Sequence, residues 1–129
     1  MKILCKKEDL LTGVNTVQRA VSSKNTHPIL QGIRLRTEDS NLWFEATDLE
    51  IGIRCKVPVN ILEEGEVVLP ARLFSEITRK LPDTEIKIES VDNNINIFYD
   101  NSDFAINGYD PEEYPEIAET SSTDEIEIP

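Results

Sequence analysis

The residues of this chain best placed to do chemistry are two arginines on a predicted helix. Arg72 and Arg79 lie seven positions apart, so their side chains share one exposed face, with Lys80 at its border. Guanidinium groups in such a row can contact nucleic-acid phosphates without reading the bases. Lys24 and the polar face of an earlier helix would extend this strip of positive charge. Surface arginines also serve solubility alone, and the residues leave both interpretations open.

Catalytic chemistry finds no support in the sequence. The single histidine, His27, stands in a predicted loop without a Cys or His at metal-ligand spacing, which disfavours both a zinc site and a histidine base. The sequence contains no GxGxxG, Walker A, GxSxG or HExxH motif. Acidic pairs such as Glu63-Glu64 are expected by chance among 25 acidic residues. We therefore predict a protein that is not an enzyme, with no catalytic residue, metal or cofactor.

The charge of the chain is strongly graded. Thirteen basic and 25 acidic residues give a net charge of −12, which argues against a generic cationic nucleic-acid binder or a peripheral membrane protein. Residues 1–24 nevertheless carry +3, residues 25–82 carry −2, and residues 83–129 carry −13. Any positive surface must therefore come from the first two thirds of the chain, while the acidic remainder favours solubility.

Both cysteines and the N-terminus point to an intracellular protein. Cys5 and Cys55 each fall on the apolar phase of an alternating strand, which predicts buried free thiols rather than a disulfide. The first apolar run, residues 3–5, is too short for a signal-peptide core or a membrane span. We expect a cytoplasmic location and no contact with a membrane.

Hydrophobic periodicity predicts two similar halves, offset by about 62 residues. A strand over 2–7 precedes a helix over 8–21, whose apolar stripe is Leu10, Val14, Val17 and Val21. Three strands follow, near 33–36, 42–44 and 51–57. The second half repeats the order with a strand over 66–69, a helix over 70–81 and strands near 85–89, 94–99 and 103–107. Leu73, Phe74, Ile77 and Leu81 are predicted to be the buried stripe of the second helix.

This order of elements predicts an α+β domain of duplicated βαβββ units, with two helices on one face of antiparallel sheets. The stretch from Tyr109 to Thr123 is predicted to be a loop. A new alternating strand begins at residue 124, which suggests a first domain over 1–123 and the start of a linker or strand over 124–129 leading into a second domain absent from this chain.

Three segments resemble the first domain of the bacterial DNA polymerase III beta subunit family, the sliding clamps. These segments are Lys24–Leu30, Ala46–Glu50 and Val68–Arg72, and they occur in the family's order at matching spacing from Met1. The resemblance covers essentially the whole chain and implies the DNA-clamp fold. It also implies three similar domains per chain and two chains joined head to tail in a ring around duplex DNA. Such a ring is a processivity factor that tethers the replicative polymerase in DNA replication.

The resemblance assigns roles to particular residues. Lys24, Arg72 and Arg79 fall at positions where the family contacts DNA without sequence preference, and Asn15 and Arg19 on the first helix are further candidates. DNA polymerase III and the clamp loader would bind domains that this chain lacks.

The same resemblance places Phe104 and Ile106 on the edge strand that meets the second clamp chain, and the alternative for both residues is an ordinary core position. Some members of the family have a basic residue at the position of Asp103. The resemblance therefore predicts no ion pair at this position of the interface. The alternative function is a stand-alone acidic protein-interaction module that binds basic partners through residues 83–129.

Overall fold

The computed structural model describes residues 1–21 and 28–116 together with the backbone of the strand at 123–127. This part of the chain forms two five-stranded sheets and two α-helices, which confirms the predicted fold class. The first sheet has the order β5-β1-β7-β8-β9. Its strands are β1 Lys2–Lys6, β5 Asn60–Glu63, β7 Glu85–Val91, β8 Asn94–Tyr99 and β9 Ser102–Ile106.

The second sheet has the order β10-β4-β3-β2-β6. Its strands are β2 Gly32–Glu38, β3 Asn41–Thr47, β4 Gly52–Pro58, β6 Glu66–Pro70 and β10 Thr123–Glu127. All of its pairings are antiparallel except that of β10, which runs parallel to β4. The predicted division between residues 1–123 and a second domain stays a prediction.

The two repeats exchange their first strands. β1, from the first half, lies between β5 and β7 and pairs Ile3 with Ile88 of the second half. β6, from the second half, pairs Leu69 with Ile33 of β2. All four of these side chains are fully buried in one core. The halves therefore interlock and cannot bury their apolar faces independently.

Helix α1, Lys7–Val17, continues into a 3₁₀ turn at Gln18–Ala20. Its predicted stripe is confirmed, since Leu10, Val14 and Val17 have no solvent exposure and Val21 packs against the core. The helix contacts β3 and β4. Gly13 lies so close to the ring of Phe44 that a Cβ atom there would overlap the ring. Close packing therefore explains a glycine that otherwise weakens a helix.

Helix α2, Ala71–Lys80, corrects part of the prediction. Its buried side chains are Ala71, Phe74, Ser75 and Thr78. Leu73 was predicted to be buried but is 43% exposed. The buried face follows the helical spacing i, i+3, i+4 and i+7 from the first helical residue, and two of its members are small polar side chains. Buried polar groups are normally hydrogen-bonded. The hydroxyl of Thr78 donates a hydrogen bond to the carbonyl oxygen of Phe74 at 2.7 Å.

The cysteine prediction is confirmed. Cys5 and Cys55 are buried free thiols, at 5% and 0% exposure. Burial raises the pKa of the Cys5 thiol to about 12, and the negative charges of Asp9 and Glu85 act in the same direction. Neither thiol is therefore an active nucleophile at neutral pH.

Candidate nucleic-acid interface

The exposed face of α2 carries both predicted arginines. Arg72, in the first turn, has a side chain that is 94% exposed, and Arg79 and Lys80 are exposed in the last turn. The prediction that these residues lie on a solvent-facing side of the helix is confirmed. In the last turn the two cations also interact favourably with the negative end of the helix dipole.

The two helices contact each other, so α1 adds its exposed residues to the same helical layer. Asn15 is exposed on α1, and Arg19 is exposed in the 3₁₀ turn that follows it. The helical face comprises the exposed side chains of Asn15, Arg19, Arg72, Arg79 and Lys80. Lys24 and the loop around it lie outside the described residues.

A hydrogen bond ties the two helices together. Lys7, the first residue of α1, donates from Nζ to the carbonyl oxygen of Arg79 at 3.1 Å. A carbonyl in the last turn of a helix has no partner within the helix, so the lysine supplies a cap as well as a favourable charge. Lys7 therefore helps to fix the last turn of α2, and with it Arg79, relative to α1.

The helical face is basic in a protein that is acidic overall. Residues 71–80 contain three basic side chains and one acidic one, and residues 7–20 contain two of each. The helices together therefore carry +2, against −12 for the whole chain. A surface of this kind attracts phosphates locally while the rest of the molecule repels them.

Four further basic residues of the first two thirds lie in the second sheet: Arg34, Arg36, Arg54 and Lys56. Glu45, only 4% exposed, lies between three guanidinium groups. The distances from its carboxylate oxygens are 3.7 Å to Arg34 Nε, 3.5 Å to Arg36 Nη2 and 3.9 Å to Arg54 Nη1. Arg34 also donates to Glu66 through Nη2 at 2.6 Å. These ion pairs link neighbouring strands of the second sheet. Within the described residues, Glu45 Oε1 itself has no hydrogen-bond partner.

An aromatic side chain completes this sheet surface. The guanidinium of Arg54 and the ammonium of Lys56 lie 5.1 and 5.3 Å from the ring centre of Trp43, distances at which a cation is attracted to the ring. Sequence reasoning assigned no role to this cluster. Its signal was present in the strands, where Arg34 and Arg36, and likewise Arg54 and Lys56, alternate with buried apolar residues.

The two predicted interface residues on β9 separate in the structure. Phe104 is 42% exposed and stacks on Tyr99 with ring centres 5.8 Å apart. Ile106 is 1% exposed and belongs to the core, so its side chain has no surface to offer a partner. The interface prediction for Ile106 is therefore corrected to a core position. Among the described residues, β9 is one of the two edge strands of the first sheet, with β5 at the other edge, so one side of its backbone is open.

A metal site and a membrane span each have requirements with which the described part of the chain can be compared. Within residues 1–21 and 28–116, no three His, Cys, Asp or Glu side chains are grouped as a metal ion would require. Neither helix in this part of the chain is long and apolar enough to cross a membrane.

Two interlocked sheets that carry a pair of helices with a basic exposed face define a domain of the DNA-clamp class. Residues 1–118 match the family described as DNA polymerase III beta subunit, N-terminal domain. The chain therefore belongs to the DNA polymerase III beta subunit family, and the resemblance noted in the sequence is confirmed.

Curated relatives and solved structures agree with this assignment. The beta sliding clamp of Bacillus subtilis (strain 168) is 36% identical over 100% of this chain and 36% of the relative. That of Staphylococcus aureus (strain Mu50 / ATCC 700699) is 32% identical over 99% of this chain and 36% of the relative. The chain thus spans about a third of the length of these curated relatives.

The structural matches are equally extensive. The crystal structure of the DNA polymerase sliding clamp from Bacillus subtilis superposes with a TM-score of 0.87 at 36% identity, over 92% of this chain and 34% of that one. The structure of Caulobacter crescentus pol III beta gives a TM-score of 0.86 at 32% identity, over 93% of this chain and 33% of that one.

Proposed function

We propose that this chain supplies the first domain of a replication clamp. In the complete assembly, two chains of three such domains join head to tail in a ring that encircles duplex DNA and tethers the replicative polymerase. The protein is a processivity factor without catalytic activity or cofactor, and it works in the cytoplasm. DNA polymerase III and the clamp loader bind domains that this chain does not contain.

The basic helical face is the observation that carries this proposal. A sliding tether must attract phosphates weakly and must not read bases, because base-specific contacts would hold it at one site. Exposed arginines on rigid helices meet that requirement where they contact phosphates, because phosphate contacts carry no sequence information. The acidic remainder of the domain keeps the rest of its surface away from DNA. Lys24 joins Arg72 and Arg79 as the principal phosphate contacts, and Asn15 and Arg19 support them.

The open edge of β9 supports the proposed contact with the second chain. An edge strand that exposes main-chain hydrogen-bonding groups can extend its sheet with a strand from another chain. Phe104 offers an apolar anchor beside that edge, already stacked on Tyr99. We assign the contact to Phe104 alone, because Ile106 is buried.

DNA binding of the 129-residue chain to a short fluorescent duplex, measured by anisotropy as salt is raised, tests the proposal. Three phosphate contacts predict a log–log salt slope of about −2.7 and weak binding. Arg72→Gln and Arg79→Gln should each weaken binding and reduce the slope by about 0.9. Lys87→Gln on the first sheet removes the same charge away from the helices and should change the slope little.

Two results would count against the clamp function. Tight binding to one particular DNA sequence would mean that the protein reads bases. Binding that is unaffected by both arginine substitutions would mean that the helical face is not the contact surface. In the second case, capture of basic partners through residues 83–129 becomes the better explanation of the acidic charge.

A further inference from the structure

One acidic residue stands among the basic residues of α2. Glu76 follows Arg72 by four positions and precedes Arg79 by three, so the three residues lie along one stripe of the helix. Lys80 follows Glu76 by four positions and borders the same stripe. Glu76 is thus the single carboxylate among three cations of this helix.

The structure shows a direct contact between Glu76 and the first of these cations. Glu76 Oε1 lies 3.6 Å from Arg72 Nε. Both side chains are open to solvent, with exposed fractions of 53% for Glu76 and 94% for Arg72. The carboxylate approaches Nε, so the terminal nitrogens of the guanidinium remain able to donate to another acceptor.

This ion pair contributes little to the stability of the helix. An exposed pair is weak in water, and the order with the base before the acid is the less favourable one. Arg72 also lies in the first turn, where the positive end of the helix dipole disfavours a cation. The contact of Glu76 with Arg72 is therefore not explained by helix stability, although Glu76 also precedes Lys80 by four positions, which is the more favourable order of acid and base.

We infer that Glu76 sets the strength of DNA binding by competing with phosphate for Arg72. The inference rests on the proposed function and identifies Glu76 as a residue that weakens DNA binding. A phosphate approaching Arg72 must share the guanidinium with a carboxylate, and it meets that negative charge as well. The result is a contact that forms and breaks readily, as movement along DNA requires.

Glu76→Gln tests this role, because glutamine keeps the size of the side chain and removes its charge. We expect the affinity of the 129-residue chain for a short duplex at low salt to rise about threefold, the range set by one exposed ion pair. The log–log salt slope should steepen by up to about 0.9. Glu64→Gln, an exposed residue outside the helices, is the matched control and should leave both values nearly unchanged.

A double-mutant cycle separates this inference from the proposed function. In an Arg72→Gln background, Glu76→Gln should lose most of its effect. If Arg72→Gln weakens binding but Glu76→Gln raises affinity equally in both backgrounds, or no more than Glu64→Gln does, the role of Glu76 is overturned while the proposed function stands. If Arg72→Gln and Arg79→Gln leave binding unchanged, the proposed function fails, and the role of Glu76 fails with it.

Discussion

Lys7 and Arg79 are joined across the helix pair by a hydrogen bond of 3.1 Å from the lysine Nζ to the arginine carbonyl. The first residue of α1 thereby caps the last turn of α2. The link couples the geometry of the helical face to the packing of the two helices, since the capped turn carries Arg79 and Lys80.

Lys7→Gln should destabilise the domain by about 0.5–1 kcal/mol, because it removes a charge and a hydrogen bond at a helix C-terminus. Urea unfolding measures this loss. Lys6→Gln is the natural control, because Lys6 is the exposed neighbour that precedes α1. Equal stability of the Lys7→Gln variant and the parent would show that the cap contributes nothing.

Gly13→Ala should destabilise the domain by about 1–3 kcal/mol, although alanine favours an isolated helix by about 1 kcal/mol. The added methyl group would overlap the buried ring of Phe44 and force the core to shift. Thermal or urea unfolding gives the sign directly. Asn15→Ala, at an exposed position of the same helix, should be neutral or stabilising. A more stable Gly13→Ala protein would contradict the close packing described for α1.

Glu45→Gln should cost about 2 kcal/mol of stability, because it leaves three neighbouring guanidinium groups without their shared counter-charge. Glu38→Gln, which removes an exposed partner of Arg36, should cost less than about 0.5 kcal/mol. DNA binding of the folded Glu45→Gln protein should equal that of the parent. Altered DNA binding would show that the basic residues of the second sheet take part in the contact.

Stability should fall at alkaline pH. Cys5 releases its proton near its ordinary pKa of 9.0 when unfolded but only near 12 when folded, so the folded state binds more protons between these values. Its contribution is therefore fully present below about pH 9 and is lost as the pH rises towards 12. Burial also raises the pKa of Tyr114, which acts in the same direction.

Urea unfolding at about pH 8 and about pH 11 measures this loss. Cys5→Ala should lower the stability at both values but make the decline between them smaller. If the free energy of unfolding falls by the same amount in Cys5→Ala and in the parent, the Cys5 thiol does not titrate in this range.

Much of the fold could be predicted from the sequence, because apolar residues recur at helical or alternating spacing wherever one face is buried. The stripe of α1 and the two buried cysteines followed from that rule. The exchange of β1 and β6 could not be predicted, since an alternating strand shows the same pattern whichever neighbour it pairs with. Leu73 was misplaced because α2 buries Ser75 and Thr78, whose polarity suggested an exposed face.

The candidate site was predictable to a similar extent. The spacing of Arg72 and Arg79 fixed their shared face once the helix was recognised. The contact between Lys7 and Arg79 joins residues far apart in the chain, so only the folded structure could reveal it. Burial decides between the core and an interface, which is why Ile106 was misassigned while Phe104 remains a candidate.

The proposed function requires the helical face to bind the DNA backbone without regard to sequence. Amide chemical shifts of the 129-residue chain, followed by NMR during titration with two duplexes of equal length and unrelated sequence, test it most directly. Both duplexes should perturb the same residues, concentrated in residues 15–24 and 71–80, and added salt should remove the effect. Perturbations centred on the second sheet, or different for the two duplexes, would contradict it.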